Sequence, residues 1–495
     1  MLIDNVILGF QTALTLENLM YSFIGVFVGN LIGVLPGIGA LAALSMLLPI
    51  TYELNPTGAL MILAGMYYGA SYGGATTAIL LNLPGTPVHA VTCLDGYPMA
   101  RQGRAGPALL MAMVASFIGA TTGVILLTIF GPLLVEVAFH FGPAEYFSLM
   151  FLGLLAASTL SSGAPLKSVA MVLVGLIFGV VGTDVNTGVV RFTFDVYELQ
   201  DGLELVAVAM GLFGITDVLI NANRLGTGSS KPKKKISLRT LRFGKGEFRS
   251  SVSSVARGAG IGSFFGILPG TGGTIASFMS YAVEKKVNRN RENFGKGAIE
   301  GVASPESANS TANITAFIPT LSLGIPGDAV MALMLGAMMI HNIQPGPQFM
   351  IEHPTVYWGL IASFWIGNLF LVLLNIPIIG MWVRILSIPY RIIYPAILLF
   401  ICIGVYSANN NLFDVGMVLL IGIFGYAALR LGYEPAPLLL GFVLGPMVEE
   451  NFRRALLVGR GDITLFFTRP VSGACMLVAG LIIAFVTYRR LTGRS

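Results

Sequence analysis

The polar residues of this chain fall in short clusters between long apolar runs, and two of those runs are broken by one pattern, GVLPGIG at Gly33 to Gly39 and GILPGTG at Gly266 to Gly272. Proline removes a backbone donor and glycine weakens a helix, so Pro-Gly flanked by glycine in an apolar run marks a helix interrupted in mid-segment. In lipid such a break is tolerated only where the freed backbone groups meet protein, water or a ligand. Two breaks in corresponding halves therefore point to a binding site.

Each break opens a repeat, one from about Gly29 to Arg104 and one from about Gly262 to Pro347. Both continue through a polar loop and an apolar segment with small polar residues to a second Pro-Gly, LNLPGTP at Leu81 to Pro87 and LGIPGDA at Leu323 to Ala329. The spacings differ, 48 residues from Gly37 to Gly85 and 57 from Gly270 to Gly327, so the repeats are related and not identical.

Loop charge suggests how they face. The loop Thr51 to Thr57 carries only Glu53, whereas its counterpart carries Lys285, Lys286, Arg289, Arg291 and Lys296. After the second Pro-Gly the bias reverses, with Arg101 and Arg104 in the first repeat and no charge from Asn342 to Pro347 in the second. That is the pattern of inverted topology. Lys167, Arg384, Arg391, Arg430 and the C-terminal Arg489, Arg490 and Arg494 fall on the basic side, and the loop Asp184 to Asp201 on the other. Apolar segments near 106–131, 144–160, 165–183, 203–222, 356–379, 393–406, 412–429, 436–448 and 470–488 supply the spans, and Val448 to Arg469 reads as an amphipathic stretch along the interface.

One segment is too short for ordinary spans. About 26 apolar residues, Gly258 to Val283, separate two basic stretches, whereas two crossings need roughly 40. We expect a re-entrant hairpin with Pro269-Gly270-Thr271-Gly272 at its tip, and inversion asks the same of Leu19 to Ile50, with Pro36-Gly37-Ile38-Gly39 at the tip.

Composition agrees with a membrane protein: 55% of the 495 residues are hydrophobic and 11% charged, against about 25% charged in soluble domains. The fold class expected is an all-α polytopic membrane protein with two inverted-topology repeats. The first twenty residues hold no Lys or Arg and no cleavage-site pattern, so no cleaved signal is expected. Ten of the basic residues lie between 222 and 258. Between two membrane halves such a run reads as a cytoplasmic linker, not as a nucleic-acid patch. The division is then 1–222, a linker at 223–257, and 258–495. The three cysteines and four histidines are scattered without metal-ligand spacing. No cofactor is expected.

Two regions concentrate polar groups without Lys or Arg: Ser71 to Thr86 and Ser304 to Asp328. Backbone N–H groups at half-helix ends, with hydroxyl and amide donors, suit a small carboxylate; carbonyls and side-chain oxygens suit a cation such as Na⁺. Candidate substrate contacts are Pro36, Gly37, Gly39, Thr76, Thr77, Asn82, Pro84, Gly85 and Thr86 in the first repeat. In the second they are Pro269, Gly270, Thr271, Gly272, Ser307, Asn309, Ser310, Pro326 and Gly327. Glu306, Asn313 and Asp328 are candidates for ion coupling, with Na⁺ the candidate metal at the same breaks. Two roles stay open for Glu306, complementing a helix start after Pro305 or coupling. Asp328 reads as standing at a water-facing edge.

The motifs GVLPGIG, YYGASYGGATTAILLNLPGTP, LDGYPMARQG, FGPAEYF, GTDVNTGVVRFTFD, GILPGTGG, GVASPESAN and LGIPGDA together resemble, nearly end to end, the large membrane subunit (TctA type) of the bacterial tripartite tricarboxylate transporters. The resemblance implies an inner-membrane importer of di- or tricarboxylates coupled to Na⁺ or H⁺. It implies two partners, a small membrane subunit (TctB type) and a periplasmic solute-binding protein (TctC type). Relatives tend to carry two consecutive Asn where this chain has Asn309-Ser310, and often a small residue at Asp328. A gated organic-anion channel would use the same breaks. No nucleophile elbow, HExxH pair or paired catalytic acids point to an enzyme.

Overall fold

The computed structural model describes residues 2–35, 39–160, 164–184, 187–221, 240–244, 246–268, 270–385 and 390–491. The expected tip residues Pro36, Gly37, Ile38 and Pro269, and most of the basic linker, lie outside these.

The first half runs α1 (Leu2–Ala13), α2 (Leu16–Val34), α3 (Ala40–Leu47), α4 (Pro56–Leu81), α5 (Ala90–Arg101), α6 (Ala105–Ala138), α7 (Pro143–Leu160) and α8 (Pro165–Gly179). A two-residue antiparallel pairing, β1 (Gly182–Thr183) with β2 (Val190–Arg191), precedes α9 (Leu205–Ala209), a π turn over Met210–Ile215 and α10 (Thr216–Asn221). The second half holds α11 (Glu247–Ile267), α12 (Gly272–Val287), α13 (Glu300–Thr315), α14 (Phe317–Leu323), α15 (Ala329–Ile340), α16 (Pro347–Glu352) and α17 (Pro354–Asn375). It ends with α18 (Ile379–Ile385), α19 (Tyr390–Asn409), α20 (Leu412–Arg430), α21 (Pro435–Val458), α22 (Leu465–Thr468) and α23 (Pro470–Leu491). The fold is an all-α polytopic membrane architecture. Among the described residues α2, α6, α17 and α20 are long and apolar enough to cross a bilayer singly.

Both sequence breaks interrupt helices, α2 from α3 and α11 from α12. The α11 arm starts at Glu247, ten residues before the expected linker boundary. Its early turns bury Ser251, Ser254 and Val255 and so belong to the packed body. Likewise α21 continues to Val458, so the expected interfacial stretch from Val448 begins as the largely unburied end of a helix whose first eleven residues are mostly buried.

One contact scheme is used twice. On α2, a Cβ at Gly25, Gly29 or Gly33 would stand 2.2–2.3 Å from the carbonyl oxygens of Ile62, Met66 and Ala70 on α4. On α11, the same atom at Gly258, Gly262 or Gly266 would stand 2.3–2.6 Å from those of Ser304, Ala308 and Ala312 on α13. Glycine every fourth residue thus lets each interrupted helix lie on the backbone of its neighbour, the close approach by which membrane helices associate. The second Pro-Gly motifs return to the same place: Gly85 packs against the Gly33 carbonyl and Gly327 faces that of Gly266. Just before them, Asn82 (φ 56°) and Gly324 (φ 69°) end their helices in the left-handed conformation.

Several contacts join loops that the charge pattern assigns to one side. Arg104 pairs with Glu247, Gln102 donates to the Lys296 carbonyl, and Lys167 donates to that of Leu431 beside Arg430. Elsewhere Tyr52 donates to Glu204, and Arg453 binds Asp184 at 2.9 Å. Asp95 locks the basic face. Its Oδ1 accepts the amides of Gly295, Gly297 and Ala298 at 2.8–2.9 Å, and its Oδ2 the Tyr281 hydroxyl. A helix of the first repeat thereby holds the loop that follows the second repeat's break.

Gly29→Ala is expected to destabilise the protein by about 1–3 kcal/mol through overpacking. Gly260→Ala, on the open side of α11, is expected to leave it equal or more stable by about 0.5–1 kcal/mol. Thermal unfolding of the two purified variants in one detergent checks the pair. Asp95→Ala strands three backbone donors, so a loss of about 3 kcal/mol or more is expected, together with faster proteolysis within 289–299.

Candidate functional site

The second break shows how freed backbone groups are satisfied. The Thr271 hydroxyl donates to the carbonyls of Phe265 and Leu268, closing the end of α11. The Gly270 amide donates to the Gly327 carbonyl at 2.7 Å, joining the two Pro-Gly motifs of that repeat. At the first break the Thr77 hydroxyl donates to the Val34 carbonyl at 2.7 Å and closes α2.

Between the breaks lies a cavity of about 560 Å³, lined by Gly39, Pro84, Gly85 and Thr86 from the first repeat and Gly270, Thr271, Gly272, Asn309, Asn313 and Asp328 from the second. The two interruptions therefore share one space. The remaining described candidates do not line it. Thr77 is occupied at α2, and Thr76 faces a separate small void beside Tyr72 and Ser116. Asn82 is exposed at the end of α4, where its job is the left-handed cap. Ser307 turns the other way and donates to the Val255 carbonyl. Ser310 is buried without a hydrogen-bond partner, and Pro326 lies outside the lining while Gly327 serves through its carbonyl.

At the floor of the cavity the repeats meet through side chains. Ser71 Oγ accepts from the amides of Asn309 (2.8 Å) and Asn313 (3.0 Å), and the Tyr67 hydroxyl lies 2.8 Å from Asn313 Oδ1 and 3.1 Å from Asp328 Oδ2. These residues occupy matching positions. Ser71 and Asn313 each precede the second Pro-Gly glycine, Gly85 or Gly327, by 14 residues, and Tyr67 and Asn309 by 18. Asp328 corresponds to Thr86 in the same way. Asp328 caps α15, its Oδ1 accepting the Met331 amide, and lines the cavity.

Sequence reasoning missed Tyr67, Ser71, Asp217 and Glu434, all of which line the cavity. The first two were recoverable by carrying Asn309 and Asn313 back through the repeat. Asp217 follows the π turn, whose extra residue redirects the helix, and its carboxylate meets the Gly39 amide. Asp217, Asp328 and Glu434 bring carboxylates, and no Lys, Arg or His side chain lines the cavity among the described residues.

Glu306 is elsewhere. It is the seventh residue of α13, which starts at Glu300, so the helix-start role fails. It lies fully buried, bonded to Thr92 and Ser116.

A membrane architecture with this pair of breaks agrees with a comparison of sequences. The sequence model described as the tripartite tricarboxylate transporter TctA family matches residues 19–440. The chain belongs to the TctA family. It is 50% identical over 480 residues, 97% of this chain and 95% of the relative, to an Agrobacterium vitis protein described as an uncharacterized 52.8 kDa protein in the TAR-I ttuC' 3' region. A second protein of that organism, described as uncharacterized and in the TAR-II ttuC' 3' region, is 56% identical over 221 residues, 45% of this chain and 91% of its own length. No solved structure matches. As a TctA protein the chain is a multi-pass component of a transporter, of a family that works as a tripartite system with a small membrane subunit and a binding protein.

Tyr67→Phe removes the hydroxyl shared by Asn313 and Asp328, and a stability loss of about 1–3 kcal/mol is expected. Thermal unfolding measures it; an unchanged midpoint would mean the cluster does not hold the repeats together.

Proposed function

We propose that this TctA protein is the membrane subunit that moves a small di- or tricarboxylate across the bacterial inner membrane. In this reading a periplasmic solute-binding protein delivers the substrate, a small membrane subunit completes the assembly, and a cation, Na⁺ or H⁺, is coupled. The shared cavity is the observation that carries the reading: two interrupted helices bring Thr86, Thr271, Asn309 and Asn313 to one space of about 560 Å³. Unwound backbone and helix ends around such a space are suited to an anion.

The lining also argues for coupling. A multivalent anion entering beside Asp217, Asp328 and Glu434, with no basic side chain in the lining among the described residues, is repelled at low dielectric. A cation bound with the substrate offsets that repulsion, and the Asp328 carboxylate is its proposed seat. Alternating access would come from the two repeats facing opposite ways. What supports that orientation is that Arg104 reaches Glu247, Lys167 the Leu431 carbonyl and Tyr52 Glu204, each joining segments that loop charge assigns to one side. The linker and the C-terminus then lie in the cytoplasm.

Proteoliposomes holding both membrane subunits and supplied with binding protein test the reading across a panel of carboxylates, with and without Na⁺. Uptake against a concentration gradient is expected only with an ion gradient present. Conductance without one sinks the carrier mechanism in favour of a channel. Asn309→Ala is expected to weaken carboxylate binding roughly tenfold, as the loss of one buried polar contact would, and Asp328→Asn to change the cation dependence rather than substrate choice.

A further inference from the structure

We propose that Glu306 and His89 form a buried proton-binding pair, placed behind the cavity wall and connected to the cavity through Thr86. The pair rests on the carrier reading for its consequence, the coupling of a proton to transport, but its geometry stands apart from that reading.

Every residue of α13 is buried, and Glu306 is 1% exposed. Its Oε1 accepts the Thr92 hydroxyl at 2.5 Å, its Oε2 accepts that of Ser116 at 3.3 Å, and Oε2 lies 3.9 Å from Nε2 of His89. His89 is itself fully buried, and that nitrogen has no hydrogen-bond partner. On its other edge Nδ1 stands 2.8 Å from the Thr86 hydroxyl, and the ring meets the Ser71 carbonyl. In the proposed tautomer Nδ1 carries the hydrogen and donates it to the Thr86 hydroxyl. Nε2 then presents a lone pair to a carboxylate. Two acceptors facing each other across a dry gap call for one proton between them, and such a proton belongs to the pair.

The neighbours leave that proton as the compensating charge. Among the described residues the other titratable groups facing Glu306 are Tyr72 of α4, whose hydroxyl is turned to Asn368, and Cys93 of α5. His89 is the one basic side chain paired with Glu306 among the described residues. A hard metal cation requires a shell of oxygens, whereas here one carboxylate, two hydroxyls and an imidazole meet. The site therefore suits H⁺ in preference to Na⁺.

The ring is held in a shaped seat. A Cβ at Gly74 would lie 2.5 Å from its Nδ1 and 2.6 Å from its Cε1, so α4 keeps a glycine where the imidazole presses on it. Thr86 lines the cavity, which gives a route: a proton leaving Glu306 for Nε2 displaces the Nδ1 proton through the Thr86 hydroxyl to cavity water. By repeat position Glu306 matches Ala64 and His89 matches Met331. The pair thus exists on one side only of an otherwise doubled framework.

Infrared difference titration of the full chain in lipid nanodiscs, from about pH 5 to pH 9 where imidazole ordinarily titrates, tests the pair. A protonated-carboxyl band is expected that disappears in Glu306→Gln, shifts its midpoint in His89→Gln, and is unmoved when K⁺ replaces Na⁺. Thr86→Val is expected to keep the band but slow its exchange in deuterated water. Wild-type and Glu306→Gln spectra that overlay, or a midpoint that follows Na⁺, would overturn the proposal. If either substitution prevents folding, ¹⁵N-histidine resonances of the wild type and of Gly74→Ala replace it; an imidazole with no titrating Nε2 in the wild type overturns the pair. Failure of carboxylate uptake in the proteoliposomes removes the carrier reading and leaves this titration untouched.

Discussion

A helix broken inside an apolar body must find partners for the peptide groups it releases, and this requirement shapes the molecule. The second break is closed by the Thr271 hydroxyl and by the bond from the Gly270 amide to the Gly327 carbonyl; the first is closed at Val34 by Thr77. Both solutions demand that a second chain segment come very near. The glycine rows on α2 and α11 permit that approach, because any side chain there would meet the carbonyl oxygens of α4 or α13. Close packing and broken helices are therefore one device, and neither is stable in lipid without the other.

Where the two devices meet, the repeats are joined by unlike residues in like positions. Tyr67 and Ser71 on one side answer Asn309 and Asn313 on the other, and the four make mutual hydrogen bonds. Identical side chains would offer the same donors twice; the difference in chemistry lets each acceptor be matched. The same divergence puts a threonine at position 86 and a carboxylate at 328, so the cavity is chemically lopsided although its frame is doubled.

The Asp95 carboxylate ties a helix of the first repeat to the loop after the second repeat's hairpin, where positive-φ Gly295 and Gly297 turn their amides inward. Motion of one repeat against the other must pass through this tie or leave it intact. The ends of the broken helices at Gly39 and at Gly270 to Gly272, in contrast, adjoin the cavity.

Much was written in the chain. Apolar runs, Pro-Gly breaks and loop charges determined the membrane class, the doubled organisation and the segments Gly39, Thr86, Gly270 to Gly272, Asn309, Asn313 and Asp328 that meet at the cavity, because periodicity and breaks are local properties. Sequence alone could not tell which face of a helix turns toward the cavity: Ser307 and Ser310 share the helix of Asn309 yet point away, and Thr76 and Thr77 share that of Ser71. Nor could it bring His89 to Glu306, 217 positions apart along the chain. Rotation about a helix axis and contact across long separations are set by packing, in which every buried polar atom competes for a partner, and only the assembled fold decides that competition.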